Sequence, residues 1–169
     1  MLKKFLSIVT AGALMAAILV GCSCSGDNKS TVSWEYEPDA VNNSVVDGEY
    51  VNQNFKFKLT IPGDVKDDIS VNGNASIVTI YNKYVKDLGA KDKDGNLYEG
   101  KLGTIWADRK DSSIPYENYE VLGTDDERQY VLQYPEEQQY DPKDKKAKEN
   151  YENTKKYLDE IADSFTLEK

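Results

Sequence analysis

The stretch Phe55-Lys56-Phe57-Lys58-Leu59-Thr60-Ile61 decides the fold class of this chain. Apolar and polar side chains alternate throughout it, which is the pattern of a β-strand with one buried and one solvated face. Pro62-Gly63 ends the strand, and Gly48–Asn52 followed by Gln53-Asn54 predicts a short strand and a turn ahead of it. We therefore expect a β-hairpin at the start of the domain.

Further strands are predicted downstream from β-branched and aromatic runs that lie next to turn signals. Because most of the connections between them are short turns, we expect antiparallel pairing and about six or seven strands in all. The last two candidates pair across the Gly123–Asp126 turn. The strand candidates after the hairpin are Ile77–Tyr81 (behind the turn signal Asn72-Gly73-Asn74), Leu97-Tyr98, Gly103–Ala107, Tyr119–Leu122 and Gln129–Tyr134.

The C-terminal segment predicts a long helix. Asp141 suits the N-cap and Pro142 the first helical position. A coiled-coil seam is the alternative use of its apolar stripe, but about three heptads containing Tyr and Thr favour packing on the sheet. Leu167 is expected to return the chain to a sheet edge. The stripe at helical spacing consists of Ala147, Tyr151, Thr154, Leu158, Ile161 and Phe165. The predicted fold class is thus α+β, an antiparallel sheet packed against a long C-terminal helix.

The N-terminal segment is typical of an export signal. Lys3 and Lys4 precede an apolar run over residues 5–20, which is short for a membrane-spanning helix. The run ends in Leu19-Val20-Gly21-Cys22, which resembles the bacterial lipobox. We therefore predict a lipoprotein signal peptide over residues 1–21 and lipidation at Cys22, the alternative being an uncleaved anchor helix with an incidental cysteine. Cys24 fits the lipobox pattern less well.

A polar spacer follows the predicted lipidation site. Residues 22–44 are rich in Ser, Asn, Asp and Gly, as in a flexible tether. Trp34 and Tyr36 interrupt it, either as a membrane-touching or partner-touching segment or as a loose first strand docked on the domain. We favour docking because anionic lipid would repel the neighbouring Glu35 and Glu37. Residues 45–169 then form one α+β domain.

Charge and composition exclude several classes of function. The 169 residues carry 21 Lys+Arg and 30 Asp+Glu, a formal charge of −9, and no histidine. Removal of residues 1–21 would leave 19 basic and 30 acidic side chains, a net charge of −11. Such acidity argues against a nucleic-acid partner. The lack of histidine excludes Ser–His and Cys–His nucleophiles, and no glycine-rich phosphate loop is present. A pair of carboxylates for hydrolysis stays open, and we expect no cofactor.

The stretch Asp92-Lys93-Asp94-Gly95-Asn96 could offer oxygen ligands to a cation. With Gly95 at the sixth position of an EF-hand, however, Ala90 and Lys101 fall where Asp and Glu are required. A hairpin turn at Asp94-Gly95 is the simpler interpretation. We therefore predict no metal site, and cation binding at Asp92 and Asp94 stays an open alternative.

Tyrosine is abundant, with twelve residues against four phenylalanines. A tyrosine-rich surface would suit sugar stacking or protein recognition, because the ring buries area while the hydroxyl forms hydrogen bonds. The alternative, which alternation of Tyr130, Leu132 and Tyr134 favours, is that the rings fill a half-buried sheet face beside the helix. The tyrosines of the last third that raise the question are Tyr116, Tyr119, Tyr130, Tyr134 and Tyr140.

The order of four sequence blocks resembles PsbP-like domains, including those of uncharacterised lipoproteins from Gram-positive bacteria. The resemblance implies an antiparallel sheet with helices against it and a binding or assembly role, and it carries over no catalytic residue. Where the family often has a tryptophan after Ile-Pro, this chain has Gly63-Asp64-Val65. The blocks are Tyr50-x-Asn52-x-x-Phe55-x-Phe57-x-Leu59-x-Ile61-Pro62, Leu102-Gly103-Thr104-Ile105, Tyr130-Val131-Leu132-Gln133-Tyr134-Pro135 and Ile161-Ala162-Asp163-Ser164-Phe165.

These observations predict a lipid-anchored protein on the extracytoplasmic face of the cell membrane, with a non-enzymatic binding or accessory domain of the cell envelope. Its expected partners are the membrane, through Cys22, and an envelope protein or small ligand. A small-molecule or cation-binding module that uses acidic and tyrosine side chains is the alternative. A carboxylate-pair hydrolase is a further, less favoured alternative.

Overall fold

The computed structural model of the chain describes residues 45–74 and 77–168. The predicted signal peptide, the lipidation site Cys22 and the tether with Trp34 and Tyr36 lie outside the described residues. No helix within the described ranges is long and apolar enough to cross a membrane. The described strands are β1 (Val45–Val46), β2 (Glu49–Asn52), β3 (Phe57–Thr60), β4 (Ile69–Gly73), β5 (Ile77–Asn82), β6 (Lys101–Arg109), β7 (Tyr119–Thr124), β8 (Arg128–Gln133) and β9 (Thr166–Leu167), and the described helices are α1 (Lys83–Leu88), α2 (Lys145–Lys155) and α3 (Leu158–Asp163).

The α+β class and the antiparallel pairing are confirmed, but the strands form two sheets instead of one. One sheet has the order β1-β2-β3-β9 and the other the order β4-β5-β6-β8-β7. All strand pairs in them are antiparallel. The prediction of six or seven strands was too low for the described residues, because β1 has only two residues and β4 ends in Asn72-Gly73, which resembles a turn in sequence.

The predicted hairpin is formed by β2 and β3, with Tyr50 opposite Leu59. The predicted strand over residues 55–61 was too long at both ends. Asn52 Oδ1 accepts hydrogen bonds from the backbone N–H groups of Asn54 (3.1 Å) and Phe55 (3.0 Å), and Lys56 has a φ of 51°. This Asn-centred turn keeps the first two residues of the alternating stretch out of the sheet. Leu167 returns to the edge of β3, opposite Phe57, as predicted.

The predicted strands around residues 77–81, 103–107, 119–122 and 129–134 lie within or largely within β5 to β8, and β7 pairs with β8 across the expected turn. The Leu97-Tyr98 strand was wrong. Leu97 forms only an isolated bridge with Lys91, which closes the loop over residues 92–96. A helix was missed, since α1 begins directly after β5 at the N-cap Asn82 and ends at Gly89, which has a φ of 59°.

The C-terminal helix is shorter than predicted and interrupted. Its N-cap is Asp144 instead of Asp141, because Asp144 accepts from the backbone N–H groups of Lys146 and Ala147. Asp141 instead accepts from the N–H of Lys143 within the preceding turn. The helix breaks between α2 and α3, where the Thr154 hydroxyl bonds to the carbonyl oxygens of its own preceding turn. Such back-bonding by Thr bends helices.

Packing on the sheets, and not a coiled-coil seam, covers the apolar stripe of α2 and α3. Leu158 lies against Gly103 of β6, and Ile161 is fully buried. Phe165 packs on Phe57 of one sheet and Tyr130 of the other, with ring centroids 5.1 and 5.3 Å away. The core therefore lies between the inner faces of the two sheets and the helices.

Candidate functional site

The outer face of the five-stranded sheet is less covered than the inner face. In β6, Gly103 and Ile105 point to the core, so Thr104 and Trp106 point outward by the alternation of a strand. Thr79 of β5 pairs with Thr104 on this face, and their hydroxyl oxygens are 3.5 Å apart. Trp106 is only partly buried. An indole ring is thus presented at the centre of an outward-facing surface.

Two neighbours fix the orientation of the Trp106 ring. The indole Nε1–H donates to Gln133 Oε1 at 2.9 Å, across the β6–β8 pair. Tyr116 stacks on the indole with ring centroids 5.1 Å apart and an angle of 25° between the planes. A stacked pair of this kind contributes about 0.5–1.5 kcal/mol beyond the area that it buries. Trp106 is therefore held in place before any ligand arrives.

Trp106 lines a cleft of about 240 Å³. Thr104 and Gln133 line it from the sheet, and the segment 134–139 after β8 borders it on another side. Glu99 and Lys101 also contribute, and their side chains form an ion pair. The cleft therefore combines aromatic rings and neutral hydrogen-bonding groups with one ion pair and the exposed carboxylates of Glu136 and Glu137.

Gln139 ties the bordering segment to the start of β6. Its backbone carbonyl accepts from the N–H of Gly100 (3.0 Å), and its Oε1 accepts from the N–H of Lys101 (3.1 Å). Its Nε2 donates to the carbonyl of Glu137 at 3.1 Å. Both the oxygen and the nitrogen of the Gln139 amide are thus hydrogen-bonded. These bonds hold the segment 134–139, which forms this wall of the cleft, in a fixed position.

The hydroxyl of Tyr116 and the carboxylate of Asp108 lie close to each other beside the Trp106–Tyr116 stack. Burial and the nearby charge of Asp108 raise the pKa of Tyr116. Among the residues that the structure describes, Asp108 Oδ2 is a buried oxygen without a hydrogen-bond partner. Gln129, opposite Asp108 in the sheet, instead donates to Ser112 of the segment that crosses this face. The Tyr116 segment is thus fastened over one end of the sheet.

The five tyrosines of the last third do not form one surface. Tyr130 is fully buried and donates to Asp125, and Tyr140 is buried beside Tyr151. The core interpretation is therefore confirmed for these two rings. Tyr119 is 43% exposed on the edge strand β7. Tyr116 stacks on Trp106, and Tyr134 is partly buried against the core and also lines the cleft. Burial, followed by the hydrogen bond to Glu120, raises the pKa of Tyr134.

The loop over Asp92–Asn96 is a turn in which the carboxylate of Asp92 accepts hydrogen bonds from groups of the same loop. Asp92 Oδ1 accepts from the backbone N–H groups of Asp94 (2.8 Å) and Asn96 (2.9 Å), and Oδ2 accepts from the Asn96 amide (3.0 Å). The hydrogen bond from the Asn96 side chain is the main cause that lowers the pKa of Asp92. Within residues 45–74 and 77–168, no group of three or more Cys, Asp or Glu side chains could hold a metal ion.

Sequence reasoning missed Trp106 and Gln133 as candidate site residues. The sequence did contain a signal for Trp106. Side chains alternate between the two faces of a strand, so Trp106 points outward if its neighbour Ile105 points to the core. The approach of Gln133 depends on the β6–β8 register, which pairs Thr104 with Gln133. That register is a long-range property that no local motif encodes. The predicted lipidation site Cys22 lies outside the described residues.

Comparison of the chain with protein-family models, with curated proteins and with solved structures found no match. The site is therefore assigned from its own geometry.

Proposed function

We propose that this chain is a membrane-anchored extracytoplasmic lipoprotein whose domain is a non-enzymatic binding or accessory module of the cell envelope. The basic and apolar start of the sequence and the lipobox at Cys22 support the anchor. The observation that carries the binding role is the cleft at Trp106, where a partly exposed indole is fixed on the outer sheet face. Aromatic rings that are apolar on their faces and hydrogen-bonded at one edge are common anchors in recognition surfaces.

The PsbP-like fold is part of this proposal. The sequence blocks that carry the resemblance lie in the β2–β3 hairpin, in β6, in β8 and from α3 to its end. These elements supply the inner faces and the helix that meet in the core. The binding or assembly role that the resemblance implies needs an accessible surface, and the cleft at Trp106 on the outer sheet face is the surface that we propose for it.

A small-molecule binding module is the second candidate, and the lining of the cleft, an indole beside hydrogen-bonding side chains, favours it. Ligand pockets usually measure about 300–1,000 Å³. The cleft at Trp106, at about 240 Å³, is slightly smaller and suits a small ligand or one end of a larger one. The cation alternative has less support, because the oxygens of Asp92 are already engaged by the Asp94 and Asn96 groups of its own loop.

The anchor is tested by replacing its predicted lipid-bearing residue. Cys22→Ala should move the protein from the membrane fraction to the soluble fraction or leave it as unprocessed precursor, and it should abolish incorporation of labelled palmitate. Cys24→Ala is the matched control and should behave as the unchanged protein. Unchanged labelling of Cys22→Ala would refute the lipoprotein assignment.

The binding role is tested with a photo-reactive amino acid at Gln138, an exposed residue that borders the cleft. The same group at Lys148, an exposed residue on α2, serves as the control. In intact cells, we expect a discrete adduct from position 138 that position 148 does not give and that Trp106→Ala removes. Identical patterns from both positions would contradict a binding site at the cleft.

A further inference from the structure

The side-chain amide of Gln133 has one group, Nε2, that is not used within the described part of the protein. Its Oε1 accepts from the Trp106 indole, which fixes the amide orientation. Within the described part of the chain, its Nε2 donates to no group. An NH₂ group at the floor of the cleft is therefore a fixed donor for a ligand, immediately beside an aromatic ring.

The charges around the cleft provide no strong site for an ionic ligand. Lys101, the cation among the lining residues, is paired with Glu99. Glu136 and Glu137 are exposed at the rim, where water and salt screen their charges. The floor, made by Gly103, Thr104 and Gln133, carries no charge. A ligand that suits this floor is polar, neutral, and rich in both donors and acceptors.

The lining groups match the chemistry of a sugar ring. Trp106 offers an indole surface against which the C–H groups of a pyranose can pack. The Gln133 NH₂ donates, and the Thr104 hydroxyl can donate or accept, which are the interactions that vicinal hydroxyl groups need. The volume of about 240 Å³ is sufficient for one ring of this kind.

We propose that the Trp106 cleft binds a neutral carbohydrate through one sugar ring, which is the terminal or an exposed residue of a longer glycan. This inference rests on the proposed binding function and names the class of its ligand. Trp106 packs on the ring, Gln133 donates to a ring hydroxyl, and Thr104 and the wall formed by residues 134–139 limit the site to one residue. The rest of the glycan extends over the outer sheet face.

The test uses the full-length protein in detergent, with the Trp34→Phe change so that fluorescence reports Trp106 alone. Cellotetraose, maltotetraose and chitotetraose are the probes. At least one should change the emission saturably, with a dissociation constant on the order of 0.1–1 mM, as expected for one shallow subsite. Because the ligand is neutral, raising NaCl from about 0.05 to 0.5 M should change the affinity less than about twofold.

Variants of the cleft separate this inference from the broader proposal. By calorimetry with the sugar that binds, Gln133→Ala should weaken binding about three- to tenfold, the loss of one hydrogen bond, and Trp106→Ala at least about fivefold. Trp106→Phe keeps a ring and supports the test if Trp106→Ala does not fold. Leu88→Ala, on α1 and outside the cleft, should bind as the unchanged protein does.

Two results would overturn the carbohydrate assignment. One is a flat titration with all three sugars by a folded protein, and the other is sugar binding that Gln133→Ala and Trp106→Phe leave unchanged. If no sugar binds while the photo-reactive group at Gln138 still gives an adduct that depends on Trp106, the ligand class is wrong and the binding site stands. If both experiments are negative, the proposed function fails as well.

Discussion

The side-chain amide of Asn82 donates to the hydroxyl of Thr154 at 2.8 Å, although 72 residues separate them and both side chains are almost fully buried. The same Nδ2 group also bonds Asn150 Oδ1 at 2.8 Å. At the other end of the amide, Oδ1 accepts from the N–H of Val85 and caps α1. Asn82, at the end of β5, therefore caps the N-terminus of α1 and is also hydrogen-bonded to α2.

We predict that Asn82→Ala lowers the free energy of unfolding by about 2–4 kcal/mol. Loss of an N-cap costs about 0.5–2 kcal/mol, and buried polar groups left without partners cost about 1–3 kcal/mol more. Urea denaturation followed by circular dichroism measures the change. A loss below about 1 kcal/mol would show that α1 and α2 do not depend on this amide.

Thr154→Val is the partner variant, because it keeps the shape of the side chain and removes its hydroxyl. It should cost about 1 kcal/mol, less than Asn82→Ala, since Asn82 keeps its bonds to Asn150 and Val85. The double variant should be less destabilised than the sum of the two single changes, because the hydrogen bond between them can be lost only once. Strict additivity would contradict the coupling.

Gly100 is a second position where the geometry sets a sharp expectation. Its φ is 67°, and an added Cβ would lie 2.9 Å from Val85 Cβ and 3.0 Å from the Asn82 carbonyl oxygen. Gly100→Ala should therefore cost about 2–4 kcal/mol, through strain and overpacking together. Gly89→Ala measures the cost of backbone strain alone, because Gly89 has a φ of 59° and no atom lies within 4 Å of the added Cβ. It should cost about 1 kcal/mol, and equal losses in thermal melts of the two variants would refute the packing argument.

These positions show which parts of the fold could be predicted from local sequence. Alternation and turn residues identified the hairpin and the β7–β8 pair, because both depend on neighbours in the chain. The interruption of the C-terminal helix could not be predicted in this way. It coincides with Thr154, whose hydroxyl accepts a hydrogen bond from Asn82, a residue 72 positions away in the sequence.

The same distinction applies to the candidate site. Trp106 could have been placed on an outward face from the parity of its strand alone. Its partners could not, since Gln133 arrives through the β6–β8 register and Tyr116 from an irregular segment that crosses the sheet. Tyrosine count, in contrast, was a poor guide, because Tyr130 and Tyr140 are core residues.

The Tyr130–Asp125 pair predicts a pH dependence of stability with two limbs. Tyr130 donates to Asp125 Oδ2 at 2.7 Å, and this bond is the main cause that lowers the pKa of Asp125. A lowered carboxyl pKa stabilises the fold above the unfolded value of about 3.9, and the contribution is lost as the pH falls through the folded pKa. Burial, followed by the bond to Asp125, raises the pKa of Tyr130 from 10.0 to about 12. This contribution is complete below about pH 10 and is lost as the pH rises through about 12.

Tyr130→Phe removes one hydrogen bond from Asp125 and leaves those from the N–H groups of Glu127 and Arg128. The pKa of Asp125, followed by NMR, should therefore rise towards its ordinary value without reaching it. Urea midpoints measured across the acid range should fall less steeply with decreasing pH than those of the unchanged protein. Asp125→Asn has no carboxyl group to titrate, so the part of the stability loss at low pH that comes from Asp125 should be absent. An unchanged Asp125 pKa in Tyr130→Phe would contradict this account.

The stack of Tyr116 on Trp106 predicts a change that spectroscopy can resolve. Tyr116→Ala removes a ring 5.1 Å from the indole and should lower the free energy of unfolding by about 1–2 kcal/mol. Because the ring also covers one face of the indole, Trp106 emission should shift to longer wavelength in a Trp34→Phe background. Leu88→Ala is the control, since Leu88 is likewise 43% exposed but lies on α1, away from the Trp106–Tyr116 stack. It should change stability by less than about 0.5 kcal/mol and leave the emission in place. If both variants shift the emission equally, the indole is not held by Tyr116, and the fixed orientation on which the cleft depends must come from Gln133 alone.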